Sequence, residues 1–213
     1  MNTWTSKDRR EHYHREELKI ALDPNHPSHV LPPPVPPSYR VLDIGCGAGQ
    51  TLIAAYPDSI SFGIDIDADA LALGKTLTDH VCFVCGRAEA LPLANEQFDM
   101  LIARVSLAYT NVGPALKEMH RVLKKGGDLW MVLHPFSASW KQAISSNYKG
   151  WIFFAYIAIN SVLFHLTQKQ FPFLGRYESF QTQAGISRAL RSSGFEAIRI
   201  EKNRHFVVTA KSG

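Results

Sequence analysis

Apolar runs alternate with helix-like stretches from Arg40 to the end of the chain. The short apolar runs predict seven strands, at residues 40–44, 60–64, 81–85, 98–103, 129–133, 196–201 and 205–210. The intervening patterns predict helices at residues 50–56, 68–79 with Asp67 as its cap, from about Pro114 to Gly126-Gly127, and 182–193. Strands that alternate with helices form parallel βαβ units, so this part of the chain predicts a doubly wound α/β fold.

The last two predicted strands differ from the others because only about three residues separate them. A parallel crossover needs a dozen residues or more, so this pair must be antiparallel. We therefore predict a mostly parallel, seven-stranded sheet with an antiparallel last strand pair.

Prolines mark a boundary before this sheet, since seven of the twelve lie between Pro24 and Pro37. Proline fixes φ and stops helices, so the stretch predicts an extended connector. Residues 1–39 are thus predicted to form a helical arm, at about 5–22, and a proline-rich connector. Residues 40–213 are predicted to form one domain, with an apolar insertion at about 136–180.

Composition narrows the class of protein: 46% hydrophobic and 20% charged residues are typical of a soluble globular domain. The first residues contain no apolar signal region, and the chain has only three cysteines, which predicts a cytoplasmic protein with free thiols. The net charge of +4 is uneven, because residues 141–213 hold 10 basic and 3 acidic residues, or +7. This basic third either attracts anions or is a solvated face.

The most informative segment is VLDIGCGAGQ, where Asp43, Gly45, Gly47 and Gly49 lie between a predicted strand and a predicted helix. Glycines let a backbone turn tightly and approach a ligand closely. Asp65 ends the next strand, 22 residues after Asp43, at the distance where doubly wound sheets present a carboxylate to a ribose. Gln50 breaks the dinucleotide pattern G-x-G-x-x-G/A. Taken singly, each of these residues also suits an ordinary strand-to-helix turn.

Four motifs occur in order along the chain: VLDIGCGAGQ, GIDID, GRAEALPLANEQFD and ALKEMHRVLKKGGDLWMV. Their order carries more information than the glycine loop alone. Over residues 40–135 the chain resembles the class I S-adenosylmethionine-dependent methyltransferases, in particular the branch with the ubiquinone and menaquinone methyltransferases. The resemblance implies a Rossmann-like fold and S-adenosyl-L-methionine as cofactor. The cofactor-binding residues that it implies are Asp43, Gly45, Gly47, Gly49, Asp65, Ile66, Ala88, Glu89, Arg104 and Val105.

The resemblance also implies roles. Asp43 would orient the glycine loop and the cofactor's amino group, Asp65 would bind both ribose hydroxyls, and Ile66 would pack on adenine. Many relatives have Asp where this chain has Arg87, and arginine accepts no hydrogen bond from the adenine amino group. Either Glu89 replaces that contact, or backbone and packing alone hold adenine.

Methyl transfer from a sulfonium needs alignment and exclusion of water rather than a metal, and no metal site is predicted. Acceptor groups are expected beyond the carboxyl ends of strands four and five, which selects Ser106, Tyr109 and His134. His134 is either a base or a structural histidine before Pro135. Tyr109 is a catalytic candidate or shapes the pocket. Cys82 and Cys85 lie on opposite faces of a strand and are expected to be buried.

Two further segments, one apolar and one at the N-terminus, lie outside these motifs. Residues 151–166 contain no charge and five aromatics, and as a helix would reach about 24 Å, short of a bilayer span. They form a lid over a hydrophobic acceptor, a peripheral membrane contact or a dimer contact, with the lid favoured. The arm, with Trp4, His12 and Tyr13, either closes over the cofactor or is a solvated helix.

We therefore predict an enzyme that methylates a small-molecule acceptor, hydrophobic or aromatic in character. The chain lacks the N/D-P-P-Y/F and Pro-Cys motifs of enzymes that methylate nucleic-acid bases, so nucleic acid is disfavoured as a partner. Two alternatives stay open: an RNA or protein methyltransferase, and a non-catalytic cofactor-binding or membrane-associated partner subunit.

Overall fold

The computed structural model describes residues 5–59, 61–133 and 148–213. Seven strands form one sheet: β1 Val41–Ile44, β2 Ser61–Asp65, β3 Val81–Cys85, β4 Phe98–Arg104, β5 Leu123–Leu133, β6 Phe195–Lys202 and β7 Phe206–Ser212. The helices are α1 Ser6–Leu22, α2 Gln50–Ala55, α3 Ala68–Leu77, α4 Val112–Val122, α5 Tyr148–Thr167 and α6 Gln183–Ser192, with a short 3-10 helix at Ser106–Tyr109.

The strand order is β3-β2-β1-β4-β5-β7-β6. Strands β1 to β5 pair in parallel, whereas β7 is antiparallel to both β5 and β6. This is the mostly parallel, seven-stranded α/β sheet predicted from the sequence, and its antiparallel last pair is confirmed. The order reverses between β1 and β4, where open α/β sheets bind ligands beyond their strand ends.

Helices cover both faces of the sheet. Strand β4 shows the consequence for the sequence, because most of its residues are apolar. Leu101 and Ala103 face the cluster that contains α4 and α6, whereas Met100 and Ile102 face the cluster that contains α2. Successive strand residues point to opposite faces, so a strand covered on both sides needs apolar residues at nearly every position. Asp43, the third residue of β1, is a carboxylate in such a covered strand and is buried.

One of two helix ends predicted from the sequence agrees with the structure. The Asp67 side chain accepts hydrogen bonds from the backbone of Asp69 and Ala70 and so caps α3, as predicted. The prediction that Gly126-Gly127 ends α4 is wrong. Leu123 already pairs with Phe98 in β5, so the helix stops at Val122, and the two glycines lie in an irregularity where the β4–β5 register shifts.

The prediction that Cys82 and Cys85 are buried is also wrong, because both are exposed free thiols. They lie on β3, which is the edge strand of the sheet. A strand with a neighbour on one side only leaves more of its length open to solvent. Cys46 in the glycine loop is the buried cysteine.

The apolar stretch at 151–166 forms most of α5, which packs against α6. Phe164 is fully buried in the main core, whereas Ile152, Ile159, Val162 and Leu166 are each more than half exposed. Within the described ranges, no helix combines the length and the apolar character that crossing a membrane requires.

Candidate functional site

A cavity of about 710 Å³ opens at the edge of the sheet where the parallel strands end. It extends from the end of β2 to the turn between β6 and β7. Nine of the ten residues predicted to bind the cofactor line it: Asp43, Gly45, Gly47, Asp65, Ile66, Ala88, Glu89, Arg104 and Val105. Ser106 and Tyr109 line it as well. His134 lies outside the described residues.

The loop after β1 turns sharply at Gly45, where φ is +74°. A β-carbon on Gly45 would lie 2.3 Å from the β-carbon of Ser106, so both the conformation and the close approach require glycine. The loop is tied to β2, because the backbone N–H groups of Gly45 and Cys46 both donate to the Ile64 carbonyl. These bonds hold the loop beneath the cavity.

Gly49 is the predicted cofactor residue that does not line the cavity. It precedes α2 with φ of +82°, and a β-carbon there would lie 2.8 Å from the ring of Phe83. Its small size therefore serves the packing of α2 against β3. The glycine pattern alone does not separate this packing role from contact with a ligand.

Asp65, the last residue of β2, joins two loops of the site. Its Oδ2 accepts the Gly47 N–H at 2.8 Å and its Oδ1 accepts the Asp67 N–H at 2.9 Å. A carboxylate has about four acceptor positions, so each oxygen can accept one more hydrogen bond from a ligand hydroxyl. The next residue, Ile66, is 66% exposed and presents an apolar surface to the cavity.

Asp43 is a buried acid at the centre of the site. It is 2% exposed, and within the described part of the chain its Oδ1 has no hydrogen-bond partner. Burial raises the pKa of Asp43 to about 7, although the positive charge of Arg104 acts in the opposite direction. A buried acceptor without a partner is costly, so Asp43 is a position where a ligand donor would restore a lost hydrogen bond.

Helix α1 covers this end of the cavity and is fastened by two internal contacts. The Gln50 amide donates to the His14 ring nitrogen at 2.8 Å and to the His14 carbonyl at 3.2 Å. Glu17 accepts from Arg104 at 3.1 Å, and both side chains are largely buried. Burial lowers the pKa of His14.

A third contact of α1 lies at the surface, where Arg10 donates to Asp69 at 2.7 Å. The three contacts reach three different segments of the domain, and Tyr13, His14 and Glu17 line the cavity. Of the predicted arm residues, Tyr13 lines the cavity and Trp4 lies outside the described residues. Sequence reasoning missed His14 and Glu17, whose partners are 36 and 87 residues away.

The segment after β3 forms the wall near Ile66. Ala88 is buried and lines the cavity, with Arg87 and Glu89 on either side. Glu89 accepts the Asn111 N–H at 2.9 Å, and its other oxygen lies 3.5 Å from the Arg87 guanidinium. Glu89 thus retains free acceptor positions beside the cavity, and Arg87 has none to offer.

The other end of the cavity lies beyond β4 and β5. Val105 has φ of +65°, which is strained for a β-branched residue and turns the chain directly into the 3-10 helix. The Ser106 hydroxyl donates to the Ile44 carbonyl at 2.6 Å and fixes this turn. Burial, with the nearby charge of Glu178, raises the pKa of Tyr109.

The apolar segment expected to act as a lid does not contribute to the cavity: in the described part of 148–181 no residue lines it. The segment instead supports the 3-10 helix from behind. Ser179 N–H donates to the Ala108 carbonyl, and the Gln170 side chain accepts the Val112 N–H and donates to the Thr110 carbonyl.

The chain is similar to known methyltransferases. A family model described as "Methyltransferase domain" matches residues 42–131. A malonyl-[acyl-carrier protein] O-methyltransferase of Methylococcus capsulatus is 28% identical over 81% of this chain, which spans only 56% of that relative. A ubiquinone/menaquinone biosynthesis C-methyltransferase of Rhizobium rhizogenes is 27% identical over 86% of this chain and 75% of its own length. The crystal structure of an S-adenosylmethionine-dependent methyltransferase from Methanosarcina mazei shares the fold, with a TM-score of 0.57 and 20% identity over 84% of this chain and 94% of its own.

Proposed function

Since this chain belongs to the class I S-adenosylmethionine-dependent methyltransferases and uses S-adenosyl-L-methionine as cofactor, we propose that it methylates a small molecule with an apolar body. The cofactor would occupy the β1–β2–β4 side of the cavity, and the acceptor the β5–β7 side. The observation that carries the proposal is the shared cavity: nine residues of the predicted cofactor set, including both Asp43 and Asp65, line one side of it.

The residues on that side fit the groups of the cofactor. The two oxygens of Asp65 retain acceptor positions for a pair of ribose hydroxyls. The exposed side chain of Ile66 offers an apolar surface for adenine, and Ala88 lies on the same wall. Asp43, whose Oδ1 lacks a partner among the described residues, would accept from the amino group of the methionine part.

Bound S-adenosylmethionine supplies an electrophilic methyl group on a positively charged sulfur. The protein has to orient the acceptor in line with that methyl group and exclude water. Helix α1 supports the second task, because His14 and Glu17 bridge it to the glycine loop and to the end of β4. The strained turn at Val105 and the Ser106 hydrogen bond fix the wall between the two halves.

The acceptor side is apolar at its base, where Val132, Leu133 and Phe206 line the cavity. Tyr109 lines the same side and would orient the acceptor or its leaving proton through its hydroxyl. His134 follows the last residue of β5 directly and stays our candidate for a base. We expect His134→Ala to lower turnover and to leave cofactor affinity intact, and unchanged turnover would remove it as a base.

Labelled methyl donor and a cell extract provide the test. The protein is incubated with S-adenosylmethionine that is labelled on its methyl group, and the labelled product is isolated and identified. The proposal expects label in a small molecule that an organic solvent extracts. Label in RNA or protein would support the alternative acceptor classes, and cofactor binding without any labelled product would support a non-catalytic subunit.

A further inference from the structure

The turn between β6 and β7 reaches the cavity because of the antiparallel strand pair. Phe206 pairs with Leu133 at the carboxyl end of β5, and Lys202 pairs with Phe206 across the turn. The turn therefore lies at the same sheet edge as the ends of β1, β2 and β4. From Asp65 on β2 to this turn the sheet crosses four strand spacings, or about 19 Å.

Charge is segregated along that distance. The acidic residues that line the cavity are Glu17, Asp43, Asp65 and Glu89, all on the side expected to hold the cofactor. The opposite side is lined by residues 202–205, Lys-Asn-Arg-His, which we name the basic turn. The basic turn contributes two permanent cations to the cavity and no acid.

The cations of the basic turn also differ in their pairing from the others that line the cavity. Arg104 lies 3.1 Å from Glu17, and Arg87 lies 3.5 Å from Glu89. In the described part of the chain, neither Lys202 nor Arg204 has a carboxylate within 4.0 Å. The Lys202 ammonium lies 5.5 Å from the Phe206 ring, and Arg204 donates to the His26 carbonyl.

His205 adds an unused group at the same place. It lines the cavity, and its Nε2 is buried with no hydrogen-bond partner among the described residues. Burial lowers the pKa of His205, a hydrogen bond to the His29 backbone acts in the opposite direction, and the charges of Arg204 and Arg104 lower the pKa further. This end of the cavity therefore holds cations that lack counter-charges and a buried ring nitrogen that lacks a partner.

We propose that the methyl acceptor carries an anionic group, a carboxylate or a phosphate, and that Lys202 and Arg204 bind it. The inference rests on the proposed function. The apolar body of the acceptor would lie over Val132, Leu133 and Phe206, with the methylated atom toward the end of β4 and the anion at the basic turn. Lysine and arginine form charge-assisted hydrogen bonds with such groups.

Three naphthalene probes of one shape test the inference by calorimetry: naphthalene-2-carboxylate, 2-naphthyl phosphate and the neutral 2-naphthalenemethanol. The full chain is first saturated with S-adenosylhomocysteine. We expect at least one anionic probe to bind about tenfold tighter than the alcohol. Tighter binding of naphthalene-2-carboxylate would indicate a carboxylate acceptor, and tighter binding of 2-naphthyl phosphate would indicate a phosphate acceptor.

The double variant K202Q/R204Q is expected to reduce this preference to about twofold and to leave the affinity of the alcohol unchanged. Arg199→Gln is the matched control, because Arg199 is an exposed cation of β6 that does not line the cavity, and it should keep the full preference. An equal loss in Arg199→Gln would overturn the proposal, since it would indicate only a general positive field.

Two other results would overturn the inference. One is an unmodified protein that binds all three probes equally well. The other is a K202Q/R204Q variant with weaker affinity for S-adenosylhomocysteine, because the basic turn would then serve the cofactor. Failure of the unmodified protein to bind S-adenosylhomocysteine at all would instead contradict the proposed function, so the two failures are distinguishable.

Discussion

The two ends of the cavity are built in different ways. The cofactor end consists of three short consecutive segments, residues 43–47, 65–67 and 86–89. Their backbone N–H groups and carboxylates form hydrogen bonds that shape this end. The acceptor end combines the ends of β4 and β5 with the basic turn, which lies about 70 residues further along the chain. In the proposed site, cofactor binding is thus encoded locally, whereas the proposed acceptor site depends on segments that only the fold brings together.

The largest effect on the cofactor end is expected from Asp65→Ala. It removes acceptors for two ribose hydroxyls and for the Gly47 N–H, so we expect S-adenosylhomocysteine to bind more weakly by roughly 1.5–3 kcal/mol. Calorimetric titration measures the change. Binding of the naphthalene probes to the acceptor end should stay within about twofold.

Asp69→Ala is the matched control for that variant. Asp69 is an exposed carboxylate at the start of α3 that contacts Arg10 and does not line the cavity. Its removal should change cofactor affinity only slightly. If both variants weakened binding equally, the assignment of Asp65 to the ribose would be wrong.

The second prediction concerns pH and Asp43. Its pKa of about 7 means that about a tenth of the side chain is ionised at pH 6 and about nine-tenths at pH 8. Only the ionised form attracts the ammonium group of the cofactor, so affinity should rise about tenfold from pH 6 to pH 8. The isosteric Asp43→Asn removes this titration, and an equally steep profile in the variant would exclude Asp43 as its source.

A smaller effect is expected from Glu17→Gln, which weakens the fastening of α1 to Arg104. The two side chains are largely buried but keep 17% and 23% exposure, so the loss of the ion pair should weaken cofactor binding by about 1 kcal/mol. Glu16→Gln is the control, because Glu16 pairs with Lys19 on the same helix and does not line the cavity. Equal effects of the two variants would mean that α1 does not act through Arg104.

The smallest effect on ligand binding is expected from the exposed apolar residues of α5. Replacing Ile159 and Leu166 by serine should leave both cofactor affinity and probe affinity unchanged, because neither residue lines the cavity. The same double variant tests the predicted membrane contact in co-sedimentation with phosphatidylserine vesicles. Loss of co-sedimentation in the variant would support that contact, and absence of co-sedimentation in the unmodified protein would exclude it.

The sequence predicted the secondary structure around the cofactor end because its signals are local. The strands at 81–85 and 98–103 and the cap at Asp67 depend on neighbours within a few residues. Asp43 and Asp65 lie 22 residues apart, and each was located by the strand that carries it. The end of α4 was predicted wrongly at Gly126-Gly127, because a glycine pair suits both a helix end and an irregular strand. Only the pairing of Leu123 with Phe98 distinguishes the two structures.

Contacts between distant segments were harder to predict, at both ends of the cavity. At the cofactor end, Glu17 meets Arg104 across 87 residues, and nothing in either local sequence indicates the pair. The basic turn did carry a usable signal: an antiparallel last pair must return its turn to the carboxyl edge of the parallel strands, and that turn reads Lys-Asn-Arg-His. The apolar stretch at 151–166 suggested a lid, although its Phe164 packs in the main core.

One titration tests the central claim most directly, that the carboxylates of β1 and β2 with the glycine loop bind an adenosyl sulfonium. The full chain is titrated calorimetrically with S-adenosylmethionine and separately with S-adenosylhomocysteine. We predict saturable binding of each ligand at one site per chain, with either ligand blocking the other. No binding of either ligand by a folded protein would contradict the account.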